Sequence, residues 1–343
     1  MDQAELLVNA VQSAAEEGRR IRVAGQGSKR FCLPEVGGEM LSVEEHSGII
    51  EYEPAELVIT ARAGTPLREL ERTVAREGQK LGAEPPEFNG LGTIGGAVAS
   101  GFSGPGRPWL GSMRDCVLGL ELVNGQGQRM QFGGQVMKNV AGYDVSRLNA
   151  GAFGSLGLIL SVSLRLNPLS AHERTLGFEM DAQAALAFCR ENARKPHPIT
   201  ATFWHEGRLL VRLSGTENAL IVAQERLGGE EQDDVWRSIR DHRHEAFAQE
   251  PAGELVRLIC PPNTPMDEIV PLAWEWGGGL RWFSADGFNH EAYADQHSGW
   301  AWQIGQPFKI ERGQQILMQK ILGAFDPNRT FLSPLNFELP DED

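Results

Sequence analysis

Cysteine is scarce in this 343-residue chain. Cys32, Cys116, Cys189 and Cys260 are scattered, and no C-x-x-C pair occurs. That spacing argues against a structural zinc or an iron–sulfur cluster held by local thiolates. The histidines are equally dispersed. His242 and His244 stand two apart, on different sides of a helix, and no H-E-x-x-H motif is present. No apolar run approaches the length that spans a bilayer. The opening "MDQAELLVNA" has neither the basic nor the apolar region of a signal peptide, which predicts a cytoplasmic location. Basic residues are outnumbered, 32 against 46 acidic, for a net charge of −14. Neutralising nucleic-acid phosphates needs the opposite balance, so nucleic acid is not expected as a partner. Internal repeats and low-complexity linkers are also missing.

What is present is the composition of a folded protein too long for one ordinary core. Residues 1–170 mix helices and strands through glycine-rich connections. Residues 2–17 place Leu6, Leu7, Ala10, Val11 and Ala14 on one helical face that ends at Gly18. "IRVAG", "GIIEYEP" and "LVITARAG" read as strands, and Thr65 and Pro66 as the start of a helix carrying Leu67, Leu70 and Val74. "CVLGLELV" and "QRMQF" flank the turn Asn124–Gly127 as a hairpin. "LILSVSLRL" closes the region before Pro168. From residue 171 to 300, helices at "DAQAALAFCREN" and "NALIVAQERLGG" alternate with the strand "LLVRLSG", which predicts a smaller α+β domain. Residues 301–343 form a C-terminal segment. Tryptophans gather at 274, 276, 282, 300 and 302, as core or subunit interface.

Three glycine-rich stretches carry the chemical interest. In "RVAGQGSK" a strand delivers the chain into Gly25, Gln26, Gly27, Ser28 and Lys29. Successive amides in such a turn make an anion-binding concavity, and Ser28 adds a hydroxyl. A plain surface turn is the alternative. In "GLGTIGGAVASGFSGPGR" small residues include Gly92, Gly95, Ala99, Ser100 and Gly104, with Thr93 and Ile94 among them. Here backbone can lie against a ligand, with Thr93 capping a short helix that faces a pyrophosphate. Tight helix packing is the alternative. The third stretch, "VMKNVAGYDVSRLNAGAFGSLG", offers Lys138 and Asn139 as donors, Gly142 as a bend, Tyr143 as a flat wall and Asp144 as a cap. Gly154 and Gly157 bracket the turn into the last strand. A structural turn explains it equally well. Neither of the first two stretches fits the G-x-G-x-x-G strand–turn–helix of a Rossmann dinucleotide site.

Taken in order, the stretches resemble the FAD-binding proteins of the vanillyl-alcohol oxidase/PCMH type. "ELVITARAGTPL", "GPGRPWLGSMRDCVLG", "FGGQVMKNVAGYDVSRL" and "WGGGLRW" are similar, within that type, to the FAD-binding E subunits of glycolate oxidases. The resemblance spans about residues 20–285 and implies an α+β fold: a two-subdomain PCMH-type FAD-binding domain followed by a smaller α+β cap domain. It implies an FAD site built from Gly25, Gln26, Gly27, Ser28, Lys29, Gly92, Thr93, Ile94, Gly95, Ala99, Ser100, Gly104, Gly157 and Ile159. Members with covalent flavin often place a His in the first loop. Here that loop reads "AGQGSK", so non-covalent FAD is expected.

The resemblance also implies partners: a catalytic flavoprotein D subunit and an iron–sulfur F subunit, with peripheral membrane association through the complex. D subunits carry a His-rich H-x-G-D-G-N-x-H-like motif for metal and base. The nearest stretch here, "WHEGRLL", has a His without a partner at matching spacing, so no metal site is expected. Two further functions stay open. One is a structural subunit whose flavin does not cycle. The other is a stand-alone nucleotide-sugar flavin reductase, which needs a Tyr-Arg-x-Ser-type signature. The three tyrosines, Tyr52, Tyr143 and Tyr293, do not open one. Arg107, Arg114 and Asp115 are candidates to face the flavin or a carboxylate substrate, with a buried structural Arg114–Asp115 neighbourhood as the alternative.

Overall fold

The heptad-like spacing of Leu7, Val11 and Ala14 folds as the Ala4–Glu16 helix in a computed structural model that describes residues 1–34, 37–134, 143–248, 252–266, 269–286 and 289–333. The chain divides into two units. The first comprises residues 1–102, 112–168 and 307–343, and the second residues 103–111 and 169–306.

Among the described residues, two cores build the first unit. Strand β1 (Ile21–Ala24) pairs in parallel with β2 (Glu39–Ser42). Beneath them Leu7, Val8, Val11 and Ala14 of the first helix meet Ile21 and Val43. The second core lies on an antiparallel sheet of β3 (Ile49–Glu53), β4 (Val58–Arg62), β5 (Gln79–Leu81), β6 (Val117–Val123), β7 (Arg129–Gly133) and β8 (Leu158–Pro168). Its path runs β3-β4-β8-β6-β7, and β5 extends it by pairing with the end of β8. The helices Leu67–Ala75 and Ile94–Ser100 cover this sheet through Leu67, Leu70, Val74, Ile94, Ala97 and Val98. The expected β6–β7 hairpin is present. Asn124 Oδ1 accepts from the Gln126 and Gln128 amides at 3.0 and 2.8 Å, and Gly127 takes φ 75°.

Thr65 does not cap the helix after it. Pro66 is the N-cap residue. The Thr65 hydroxyl is drawn back into the preceding turn, donating to the Arg62 carbonyl at 2.7 Å and accepting from the Gly48 amide at 2.9 Å.

Residues 307–333, read from sequence within a separate tail, group with the first unit. The Arg312–Phe325 helix ends at Asp326, which is 5 % exposed. Its carboxylate accepts from the Thr330 and Phe331 amides at 2.8 and 2.7 Å. The chain then runs beside β1. Ile21 donates to Thr330 O at 2.8 Å, Leu332 donates to Ile21 O at 2.7 Å, and Phe331 enters the first core.

The second unit is an eight-stranded antiparallel sheet. Its strands are β9 (His172–Glu179), β10 (Ile199–His205), β11 (Arg208–Gly215), β12 (Glu230–Gln232), β13 (Leu255–Ile259), β14 (Ala273–Glu275), β15 (Leu280–Ser284) and β16 (Trp300–Gln303). Their order is β12-β9-β11-β10-β14-β15-β13-β16. The helices Ala182–Asn192 and Glu217–Leu227, N-capped by Asp181 and Thr216, pack Ala182, Ala185, Leu220 and Ala223 with Trp204 and Trp274. Of the clustered tryptophans, 274, 276, 282 and 302 are buried.

Replacing Asp326 with Ala leaves two buried amides without an acceptor, which costs about 2–3 kcal/mol. Thermal melting of Asp326→Ala should show that loss, and an unchanged melting temperature would refute the clamp.

Candidate cofactor site

The first and second glycine stretches meet in the first unit. A Cβ on Gly25 would stand 2.6 Å from Thr93 Oγ1, so only glycine lets the β1 loop lie against that hydroxyl. Thr93 is itself held. It is the N-cap of the Ile94–Ser100 helix, its Oγ1 accepting from the Gly96 amide at 3.3 Å, and it is 2 % exposed.

The two stretches differ in what they offer. The Ile94 amide donates to Thr65 O at 3.0 Å, and the Gly95 amide to Ala63 O at 2.8 Å. With Gly96 bound to Thr93, the first turn of this helix has its donors satisfied inside the protein. The expectation that its N-terminus faces a pyrophosphate is corrected accordingly. The small residues serve packing instead. A Cβ on Gly95 would meet Ala63 at 2.7 Å, and one on Gly92 would meet Leu67 at 2.8 Å. Ser100 turns its hydroxyl back to Gly96 O at 2.9 Å. Gly96 and Ala99, three apart, are the half-buried positions of the helix and form a smooth strip.

The first loop keeps its donors. Among the described residues, the amides of Gln26, Gly27 and Ser28 donate no hydrogen bond. Gly27 takes φ 72° with open space beside it, a conformation that aims successive amides to one side. Lys29 is 8 % exposed, with Nζ 3.5 Å from Ser28 Oγ and 5.5 Å from the centre of the Phe88 ring. The Gln26 Nε2 donates to Glu44 at 3.2 Å, while its Oε1 is buried without a hydrogen-bond partner. Free amides, a buried cation and an orphaned acceptor fit the mixed donor and acceptor edge of a dinucleotide.

The third stretch joins the second through backbone. The Gly151 amide donates to Val98 O at 3.1 Å, and the Phe153 amide to Ala99 O at 2.8 Å. Asp144 caps a short turn as expected, accepting from the Arg147 amide at 3.1 Å. Tyr143 is 95 % exposed and walls nothing among the described residues. Lys138, Asn139 and Gly142 lie outside the described residues. Gly157 takes φ 148°, and a Cβ there would stand 2.5 Å from Val123 O. Gly157 and Ile159 therefore seat the start of β8, with Ile159 inside the second core.

Gly104 belongs to the second unit, where its carbonyl accepts from Trp276 Nε1 at 3.1 Å. Arg107 stacks on the same indole, 4.6 Å from its centre. Arg114 and Asp115 are both exposed, so the buried pair is not formed. Asp115 instead completes a capping box with Ser112.

Sequence reasoning missed a ladder of phenylalanines in the first unit. Phe31, Phe88, Phe102, Phe153 and Phe308 follow one another at ring separations of 5.1, 6.3, 6.3 and 5.2 Å. They come from five separate segments, so no periodicity betrays them. The one local signal is "EPPEFNG", where Glu84, Phe88 and Asn89 all take positive φ.

In the second unit His205 does have a neighbour. Its ring centre lies 5.6 Å from that of His244, brought there by the fold and not by local spacing. His242 stacks on Phe247 at 4.8 Å and stands edge-on to Trp282 at 4.9 Å. Among the described residues no group of three His, Cys, Asp or Glu is placed to hold a metal. No described helix is long and apolar enough to cross a membrane.

Comparison with known proteins follows the same lines. A family model described as an FAD binding domain matches residues 1–133. Glycolate oxidase subunit GlcE of Escherichia coli K12 is 39% identical over 286 residues, 83% of this chain and 81% of that one. Glycolate oxidase subunit GlcD of Bacillus subtilis 168 is 31% identical over 198 residues, 56% of this chain but only 42% of its own length. Among solved structures, alkyldihydroxyacetonephosphate synthase superposes with a TM-score of 0.66 over 95% of this chain and 74% of that one, at 14% identity, which speaks to the fold alone.

Two outcomes are expected. Gly25→Ala should destabilise the chain, and the loss should shrink in a Thr93→Ala background, where the colliding hydroxyl is gone. Equal losses in both backgrounds, read by thermal melting, would break the proposed contact. The second concerns His242. Burial against its aromatic neighbours and the Arg257 charge depress its pKa to about 4, with Asp241 opposing. The unfolded chain takes up this proton near pH 6.5, before the folded one does. Stability is therefore complete above that pH, falls as pH drops towards 4, and is lost by at most about 3 kcal/mol. His242→Asn, which tolerates the left-handed φ of 52° at this position, should flatten the slope of urea midpoint against pH between 6.5 and 4.

Proposed function

The chain belongs to the family of FAD-binding glycolate oxidase subunits that includes GlcE, and from that membership we propose that it is the FAD-binding subunit of a complex oxidising glycolate to glyoxylate. FAD is its cofactor, and relatedness along most of both chains carries the reading. When bound, FAD would supply a redox carrier that relays or supports electron transfer within the complex.

This chain's residues hold and orient. The amides of Gln26, Gly27 and Ser28 bind the pyrophosphate oxygens, and the buried Lys29 offsets their charge. Gln26 Oε1 accepts from a donor on the nucleotide. Gly25 and Thr93 set the depth of the loop, and Gly92, Ile94, Gly95, Ala99 and Ser100 shape the wall beside it. Gly157 and Ile159 support that wall from β8. With no His in "AGQGSK" to form a ring linkage, the cofactor is held without a covalent bond.

The base that takes the glycolate hydroxyl proton, and any metal beside it, belong to a D-type flavoprotein partner. An iron–sulfur F-type subunit takes the electrons onward, and the complex meets the membrane peripherally. His242, kept neutral by its packing, and His205, whose Nδ1 is bound to Leu272 O at 2.8 Å, support placing the proton chemistry elsewhere.

Visible absorption of the purified chain tests this. Flavin bands should be present, and the flavin should pass into the filtrate on denaturation. Glycolate should bleach the bands only when the D-type partner is added. Bleaching of the isolated chain would locate the base here after all. A partnered preparation whose flavin in this chain never bleaches would favour a structural subunit.

A further inference from the structure

The row of phenylalanines tracks the segments that build the cofactor site. Phe102 and Phe153 lie inside the second and third glycine-rich stretches, and Phe31 and Phe88 lie just outside the first and second. The row also has a direction. At one end Lys29 Nζ stands 5.5 Å from the centre of the Phe88 ring, next to the amides of Gln26, Gly27 and Ser28. Further on, Phe102 follows the C-terminal end of the Ile94–Ser100 helix, and the Phe153 amide donates to Ala99 O at 2.8 Å. The rings advance by 6.3 Å from Phe88 to Phe102 and again from Phe102 to Phe153. The row therefore runs from the first loop to the far end of that helix, which is about 10 Å long.

Burial and backbone mark these rings as more than filling. Phe88 is buried, whereas Phe102, Phe153 and Phe308 are half-buried and keep part of their surface open. Phe88 and Phe153 take φ 44° and 49°, a region that bulky side chains rarely enter. Strain of this kind persists where neighbours fix the direction of a side chain, and it clusters at ligand clamps.

The chemistry of the rings selects what covers them. Either half of FAD has the reach to extend along this helix from a pyrophosphate at the first loop. Phenylalanine offers neither a donor nor an acceptor. Adenine carries nitrogens around its whole rim, and covering them without partners costs free energy. The isoalloxazine ring gathers its polar atoms on the pyrimidine side and has an apolar dimethylbenzene edge opposite. That edge gains from contact with phenyl rings and leaves no polar atom stranded.

Resting on the FAD-binding function proposed above, we propose that Phe102 and Phe153 cover the dimethylbenzene edge of the isoalloxazine ring, with Phe308 closing the end of the row. Phe31 and Phe88 stand at the pyrophosphate end, where the Phe88 ring steadies the Lys29 ammonium. Phe102 and Phe153 are positioning residues: they fix which edge of the flavin is sheltered.

The full chain is stripped of flavin and reloaded with an FAD analogue carrying a thiol in place of one methyl on that edge. Alkylation of the thiol by iodoacetamide is followed by absorbance, with melting of each loaded chain read in parallel. In the wild type it should run at least about tenfold slower than for the free analogue, because it waits on local opening. Phe102→Ser and Phe153→Ser should each raise the rate several-fold, and Phe31→Ser should leave it slow. Where a serine variant melts early, Phe102→Leu and Phe153→Leu keep the apolar bulk and should still raise the rate. Alkylation of the wild type at the free rate, or a slow rate that no substitution of Phe102 or Phe153 raises, would overturn the proposal and leave FAD binding intact. Acceleration by Phe31→Ser alone would put the flavin at the opposite end of the row and overturn it as well. A chain that takes up no FAD would overturn both the proposal and the function it rests on.

Discussion

Strand β8 belongs to two cores at once, and the first unit depends on that. Leu158 and Leu160 enter the core beneath β1 and β2, whereas Ile159, Val162, Leu164 and Leu166 enter the core beneath the helices Leu67–Ala75 and Ile94–Ser100. A strand buried on both faces reads as a near-continuous apolar run, which "LILSVSLRL" almost is. Because one strand serves both cores, the β1 loop and the Thr93 helix, which grow from different cores, are held at a fixed separation. Gly157 is the entry to this strand. With Val123 O only 2.5 Å from where a Cβ would stand, its glycine is a matter of strand packing.

That separation is small enough for Gly25 to touch Thr93, and the contact sorts the roles of the two stretches. Thr93 turns its hydroxyl towards its own helix and the neighbouring loop, and the first-turn amides go to Thr65 and Ala63. The helix is thereby a wall. The β1 loop, bounded by that wall, keeps its amides and places a buried cation next to them. Anion binding by backbone requires donors that the fold has not already used, and among the described residues the successive amides of Gln26, Gly27 and Ser28 meet that condition.

The elements of both units were largely legible in the chain because their signals are local. Helix caps at Asp181 and Thr93, the Asn124–Gly127 hairpin and the alternation of β8 each follow from a few neighbouring residues. Thr65 misled because Thr-Pro before an apolar run is a start signal, yet Gly48, 17 residues upstream, claims the hydroxyl. The return of residues 307–333 to β1 was hidden for the same kind of reason. It rests on Asp326, Thr330 and Phe331 meeting partners near residues 21 and 125. The site followed the same rule. Its glycines stood out as composition, but which amides remain available, and that five distant phenylalanines align, are facts of tertiary contact.

The histidines of the second unit show how packing decides chemistry. Phe203 and His205 project from β10 towards His244 and Phe247, and His242 stacks on Phe247 and stands edge-on to Trp282. An imidazole that is to remove a proton near neutral pH needs a pKa close to that pH and access to its substrate. His242 has been pushed to about 4, and desolvation together with the His205 charge lowers His244 as well. Burial on this face of the sheet therefore holds His242 and His244 below the usual imidazole range.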